Sequence, residues 1–205
     1  MKGLVFSIAA AACLWTVMFS PWTAPHVSFW LMMSLSAAVL SCLSFLLGGG
    51  WRRMFPSWKM SDISAGVLAA VALWAVFWLG DRVSSLLFDF ARPQVEAIYG
   101  IRSGASPWLL SALMLFLIGP AEEIFWRGYV QRTLSSRFGG NAGFAVATLL
   151  YAAVHIPSFN FMLVMAALVA GAAWGALYRF FPSRLPAIVI SHALWDAAVF
   201  IWFPI

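Results

Sequence analysis

Apolar runs at about residues 3–20, 27–50, 63–80, 107–130, 141–156, 160–178 and 185–203 occupy most of this chain and leave no room for a separate soluble domain. Each is close to the roughly 20 residues a helix needs to cross a hydrocarbon core about 30 Å thick. In lipid the backbone groups must be satisfied within the segment, so the runs read as helices. The expected fold class is therefore all-α: a polytopic transmembrane bundle of seven spans, or eight if another is hidden between the third and fourth runs. Composition agrees, because 63% hydrophobic and 9% charged residues in 205, with a mean hydropathy of +0.92, could not cover a soluble core with polar surface.

The stretch between the third and fourth runs mixes apolar residues with Asp81, Arg82, Asp89, Arg92 and Glu96. It reads as an interfacial amphipathic segment near residues 82–104. The first run follows a lysine as in a signal peptide, but its cleavage region is poor and more spans follow, so it reads as an uncleaved first helix. With the N-terminus cytoplasmic, the inside set is Lys2, Arg52, Arg53, Lys59, Arg127, Arg132, Arg137, Arg179 and Arg184, and the outside set only Arg82, Arg92 and Arg102. That imbalance follows the positive-inside rule and accounts for the net charge of +5 without nucleic acid. Cys13 and Cys42 read as reduced packing residues. Gly171 and Gly175 in "GAAWG" form a small-residue face for close helix packing inside the bundle.

Setting the loop charges aside leaves Glu122, Glu123 and Arg127 in the fourth run, His155 at the end of the fifth, and His192 and Asp196 in the seventh. His26, the third histidine, sits in a loop and reads as interfacial. An ionised side chain in the bilayer costs at least about 2.5–3.5 kcal/mol, so these groups should face one another or a wet cavity. Residues four apart share a helix face, which pairs Glu123 with Arg127, Tyr151 with His155, and His192 with Asp196. Glu122, turned by about 100° from Glu123, stays free for another partner. By rise per residue His155 lies farther out than His192, a mismatch that a bend around Gly119-Pro120 would ease.

Such a cluster suits water activation, with a carboxylate taking a proton from water and histidine donors stabilising an oxyanion. A second version holds Zn²⁺ on His155, His192 and Glu122 or Asp196, the metal acidifying its bound water. Two other classes use similar residues. A proton-coupled transporter should show polar residues and broken helices in both halves, and here they lie only in the second. A haem carrier could use His155 and His192 as axial ligands but leaves Glu122 and Arg127 without a role.

The motifs "EEIFWR" (Glu122, Glu123, Arg127), "YAAVH" (Tyr151 to His155) and "HALWD" (His192 to Asp196) come in that order, each on an apolar run. Together they resemble the CAAX-protease and bacteriocin-processing family of intramembrane endopeptidases, whose motifs run EExxxR, FxxxH and Hxxx followed by Asn or Asp. The resemblance covers roughly residues 105–203, which would be the catalytic core of a single transmembrane domain spanning 1–205, with the N-terminal spans in 1–104. It implies that Glu122 is the general base, that His155 helps hold and activate the water, and that His192 and Asp196 bind the oxyanion or orient the site. Glu123 with Arg127 would be the structural pair. No cofactor is favoured, with zinc as the alternative.

The chain departs from the family pattern in two places. Tyr151 replaces Phe, which should serve as an aromatic wall. Asp196 ends the third motif, and an ionised Asp cannot donate to an oxyanion, so it is expected to orient His192. The implied partners are the bilayer and a protein or peptide substrate: a prenylated C-terminus, a bacteriocin-related peptide or a C-terminal sorting signal. The expected location is the bacterial inner membrane.

Overall fold

The computed structural model describes residues 1–55 and 57–205. Among the described residues every regular element is helical: α1 (Lys2–Phe19), α2 (Phe29–Gly48), the single turn α3 (Trp51–Met54), α4 (Ser61–Leu87), α5 (Ala91–Gly100), α6 (Pro107–Phe138), α7 (Gly140–Ala153), α8 (Phe161–Phe180) and α9 (Leu185–Ala197). Wider π turns over Ala198–Trp202 continue α9. Among the described residues six helices are long and apolar enough to cross a membrane: α1, α2, α4, α6, α8 and the Pro182–Trp202 stretch containing α9.

The fifth apolar run gives a shorter helix than expected. α7 has 14 residues, about 21 Å at 1.5 Å per residue, and stops at Ala153. Pro157 lacks an N–H and disfavours helical geometry in the residue before it, and the chain passes instead into the 3₁₀ turn Ile156–Ser158. His155 therefore lies just beyond the helix, in the turn. The stretch 82–104 also differs from expectation at its start. α4 runs on for 27 residues to Leu87, carrying Asp81 and Arg82 within it, and only α5 stands apart. α5 is amphipathic, with Val95, Ile98 and Tyr99 turned to a cavity and Arg92 and Glu96 exposed as an i,i+4 pair at 3.3 Å.

Polar contacts mark the two ends of the bundle. At one end Arg132 donates to the carbonyl of Gly48, Arg184 meets Asp62 at 2.5 Å, and Arg179 bonds Asn141 at 3.0 Å. At the other, Arg92 meets Asp81 at 3.4 Å, Arg102 donates to the Phe200 carbonyl at 2.6 Å, and Asn160 donates to the Gln94 carbonyl at 2.8 Å. Arg127, counted among the inside charges but placed in the fourth apolar run, is buried inside the bundle.

Without a hydrophobic drive between helices in lipid, close packing of small residues brings them together. A Cβ on Gly66 of α4 would lie 2.7 Å from the Ala187 carbonyl oxygen and Ile190 Cβ of α9. One on Gly119 of α6 would lie 2.7 Å from Ala193 Cα, also on α9. Gly171 and Gly175 of α8 press on Tyr151 and Phe144 of α7, so the small-residue face packs within the bundle. Trp15, Phe125, Trp126 and Trp174 fill the core. Cys13 and Cys42 are free thiols, but they lie on the outer surfaces of α1 and α2 rather than in packed positions. His26 is exposed in the 3₁₀ turn Ala24–His26, as a loop position should be.

Candidate active site

The two glutamates lie in an α-helical turn, Gly119–Glu123, between π-wound stretches at Met114–Ile118 and Ile124–Gln131. Gly119 N–H reaches back five residues to the Met114 carbonyl. The bend expected at Gly119-Pro120 is thus taken up as wider winding within one unbroken helix. π turns recur at functional sites because they re-aim side chains without ending the helix. Here they accompany a stretch, Ile124–Gln131, in which all eight residues are buried.

Glu123 Oε1 accepts from Arg127 Nη1 at 2.7 Å and from His192 Nδ1 at 2.6 Å. All three side chains are almost completely enclosed. Arg127 is held further by the Gly171 carbonyl at 3.1 Å and by the rings of Tyr151 and Trp174, with centroids 4.8 and 5.6 Å away. The intrahelical pair expected from spacing is present, and it also anchors α8 and α9. His192 stacks on Trp174 with centroids 3.8 Å apart, and its Nε2 lies 3.4 Å from Asp196 Oδ2.

The free partner expected for Glu122 is Tyr151, whose hydroxyl donates to Glu122 Oε2 at 2.8 Å. Tyr151 is therefore more than an aromatic wall, because its hydroxyl fixes one oxygen of the neighbouring carboxylate. His155 Nδ1 donates to the Tyr151 carbonyl at 2.8 Å, and its Nε2 accepts from Trp15 Nε1 at 3.2 Å. Glu122, Tyr151, His155, His192 and Asp196 all border one cavity of about 480 Å³. Its remaining walls are mostly apolar residues of α2, α4, α5 and α8, a composition typical of small-molecule and chain-binding pockets.

Sequence reasoning did not single out Trp15 or Trp174. Both are among twelve tryptophans, and nothing local marks Trp15 as the partner of a histidine 140 positions away. Gly119 was expected only as the place of a bend, and its close approach to Ala193 of α9 has no local signal.

The alternative zinc set His155, His192 and Glu122 borders the same cavity. Both ring nitrogens of His155 are engaged by Trp15 and Tyr151, and those of His192 face Glu123 and Asp196. Among the described residues no three His, Cys, Asp or Glu side chains are grouped to hold a metal ion.

A helical membrane bundle with buried carboxylates and imidazoles around an apolar cavity has the outline of an intramembrane hydrolase. Residues 104–198 match the family model described as type II CAAX prenyl endopeptidase Rce1-like, so this part of the chain is similar to that family of intramembrane proteases. No curated protein and no solved structure matches the chain.

Proposed function

We propose that this protein is an endopeptidase in which Glu122 draws a proton from water for attack on a peptide carbonyl. One observation carries the reading: Glu122, His155, His192 and Asp196, brought from α6, the turn after α7, and α9, border the same cavity. Tyr151 fixes Oε2 of Glu122 and leaves Oε1 for the water. As water adds to the carbonyl carbon, its proton passes to Glu122 and the carbonyl oxygen becomes an oxyanion. His192, turned and held by Glu123 and Trp174, lies where a ring donor can meet that charge, and Asp196 orients it. Glu122 then gives the proton to the leaving nitrogen as the C–N bond breaks. His155 takes part in holding the water.

The reading uses no metal. Glu122→Gln should lower cleavage of a peptide reporter in bicelles by about 10²–10⁴-fold, the range of one general base, at unchanged thermal stability. Near-full cleavage by that variant rules out the glutamate mechanism. Loss of wild-type activity to a chelator, with recovery on adding Zn²⁺, would replace it with the metal version.

The substrate we infer is a membrane-associated peptide with an apolar segment or attached chain near its C-terminus. A mostly apolar cavity of about 480 Å³ suits such a group, and the family's description names prenyl endopeptidases. We also place the chain in a bacterial inner membrane with seven crossings and a cytoplasmic N-terminus. α7 begins beside Arg179 at one end of the bundle, and α8 begins beside Gln94 at the other. These two positions support a crossing by the segment between them despite its short helix. The catalytic core would lie in 105–203, with 1–104 completing a single domain. Labelling of single cysteines placed at residues 52 and 102 should reach them from opposite sides of the membrane.

A further inference from the structure

We propose that Trp15 is a positioning residue of this active site, whose indole N–H fixes the tautomer and orientation of His155. The proposal rests on the reading of His155 as a working group. A backbone carbonyl can only accept, so the 2.8 Å contact with the Tyr151 carbonyl places a hydrogen on Nδ1 of His155. An indole N–H can only donate, so the 3.2 Å contact with Trp15 requires a bare lone pair on Nε2. Together the two contacts admit one form, the neutral ring with hydrogen on Nδ1. The other tautomer, or an imidazolium, would set two donors face to face at Nε2.

Packing holds the ring in the same pose. Trp15 is 1% exposed and meets the imidazole edge-on, with centroids 6.2 Å apart and an interplanar angle of 81°. Phe19, one turn further along α1, lies 5.6 Å from the same ring, and Tyr151 lies 5.3 Å from it. A histidine's tautomer decides which nitrogen can accept a proton or a hydrogen bond from water. The nitrogen kept bare here is the one a hydrolytic water would donate to. Trp15 holds that lone pair unprotonated in the resting protein and yields it when water and substrate fill the cavity. Because α1 lies wholly outside residues 104–198, the site draws on both halves of the chain.

The test is Trp15→Phe in the full-length protein, read by ¹⁵N NMR of the His155 ring and by steady-state cleavage. The wild type should show one protonated and one bare ring nitrogen. In the variant the two signals should average as tautomers mix. The variant's kcat should fall about tenfold, the size of one lost hydrogen bond, with KM within about twofold. Unchanged tautomer and kcat, or a rise in kcat, would overturn the proposal. Should the variant not fold, benzothienylalanine at position 15, which keeps the ring volume and replaces N–H by sulfur, decides by the same readouts. His155→Ala is run alongside. Full activity there removes His155 from the mechanism, whereas an inactive His155→Ala beside an unaffected Trp15→Phe refutes only the role of Trp15.

Discussion

Nδ1 of His192 lies 2.6 Å from Oε1 of Glu123, the same oxygen that Arg127 holds at 2.7 Å. The second glutamate of the EExxxR motif is therefore the joint between α6 and α9 as well as an intrahelical partner. It sets the ring of His192 from the side away from Asp196, so orientation at this histidine depends on a residue that need not touch substrate.

Breaking such a buried pair on one side leaves the other charge uncompensated. Arg127→Met is expected to destabilise the protein by about 3–5 kcal/mol, and the double variant Arg127→Met, Glu123→Leu by much less. Chemical denaturation in mixed micelles, arranged as a double-mutant cycle, measures both. A double variant as unstable as the sum of the singles would show that Glu123 and Arg127 are not energetically coupled.

Tyr151→Phe removes the hydroxyl on Glu122 and restores the residue type of the family motif. The expected stability loss is about 1 kcal/mol, one hydrogen bond, and kcat should stay within about tenfold of wild type. Reporter cleavage beside a thermal melt checks this. Complete inactivity would show that the hydroxyl takes part in proton transfer.

Gly119 is needed because α9 backbone lies where its side chain would be. In Gly119→Ala the new Cβ meets Ala193 Cα at 2.7 Å and its nitrogen at 2.9 Å, atoms that no side-chain rotation can clear. The helices must separate next to His192. A cost of about 1–3 kcal/mol is expected, with a larger proportional loss of activity. Gly80→Ala, where nothing lies within 4 Å of the added Cβ, is the control and should not destabilise.

Asp196→Asn distinguishes orientation of His192 from donation to the oxyanion. With Oδ2 3.4 Å from His192 Nε2, an orienting carboxylate predicts a kcat about tenfold lower at an unchanged melting temperature. A rise in kcat would assign Asp196 the donor role that an amide fills better.

Much of this arrangement was legible in the sequence, because burying charge in lipid is costly enough to force polar groups together. The six long helices, the Glu123–Arg127 pair and the placing of Glu122, His155, His192 and Asp196 around one space all follow from that constraint and from 3.6-residue periodicity. Hydropathy alone overextended α7, since it registers apolar content and not the backbone break that Pro157 imposes. It also missed that α4 carries Asp81 and Arg82 on its continuation to Leu87. Contacts between distant helices were out of reach: Trp15 with His155, Trp174 on His192, and His192 with Glu123 have no local periodicity to reveal them. Tyr151 was an intermediate case, since its hydroxyl was visible as a departure from Phe but its target was not.

α5 is tied down at several points, through Gln94 to Asn160 and Met162, through Tyr99 to the Val199 carbonyl, and next to it through Ile101 to Trp30. Its Val95, Ile98 and Tyr99 share a wall with Glu122 while carrying none of the three motifs. On the proposed function, choice of cargo and chemistry of cutting would be inscribed on different stretches of the polypeptide. Exchanging residues of α5 would then retune the first and leave the second alone.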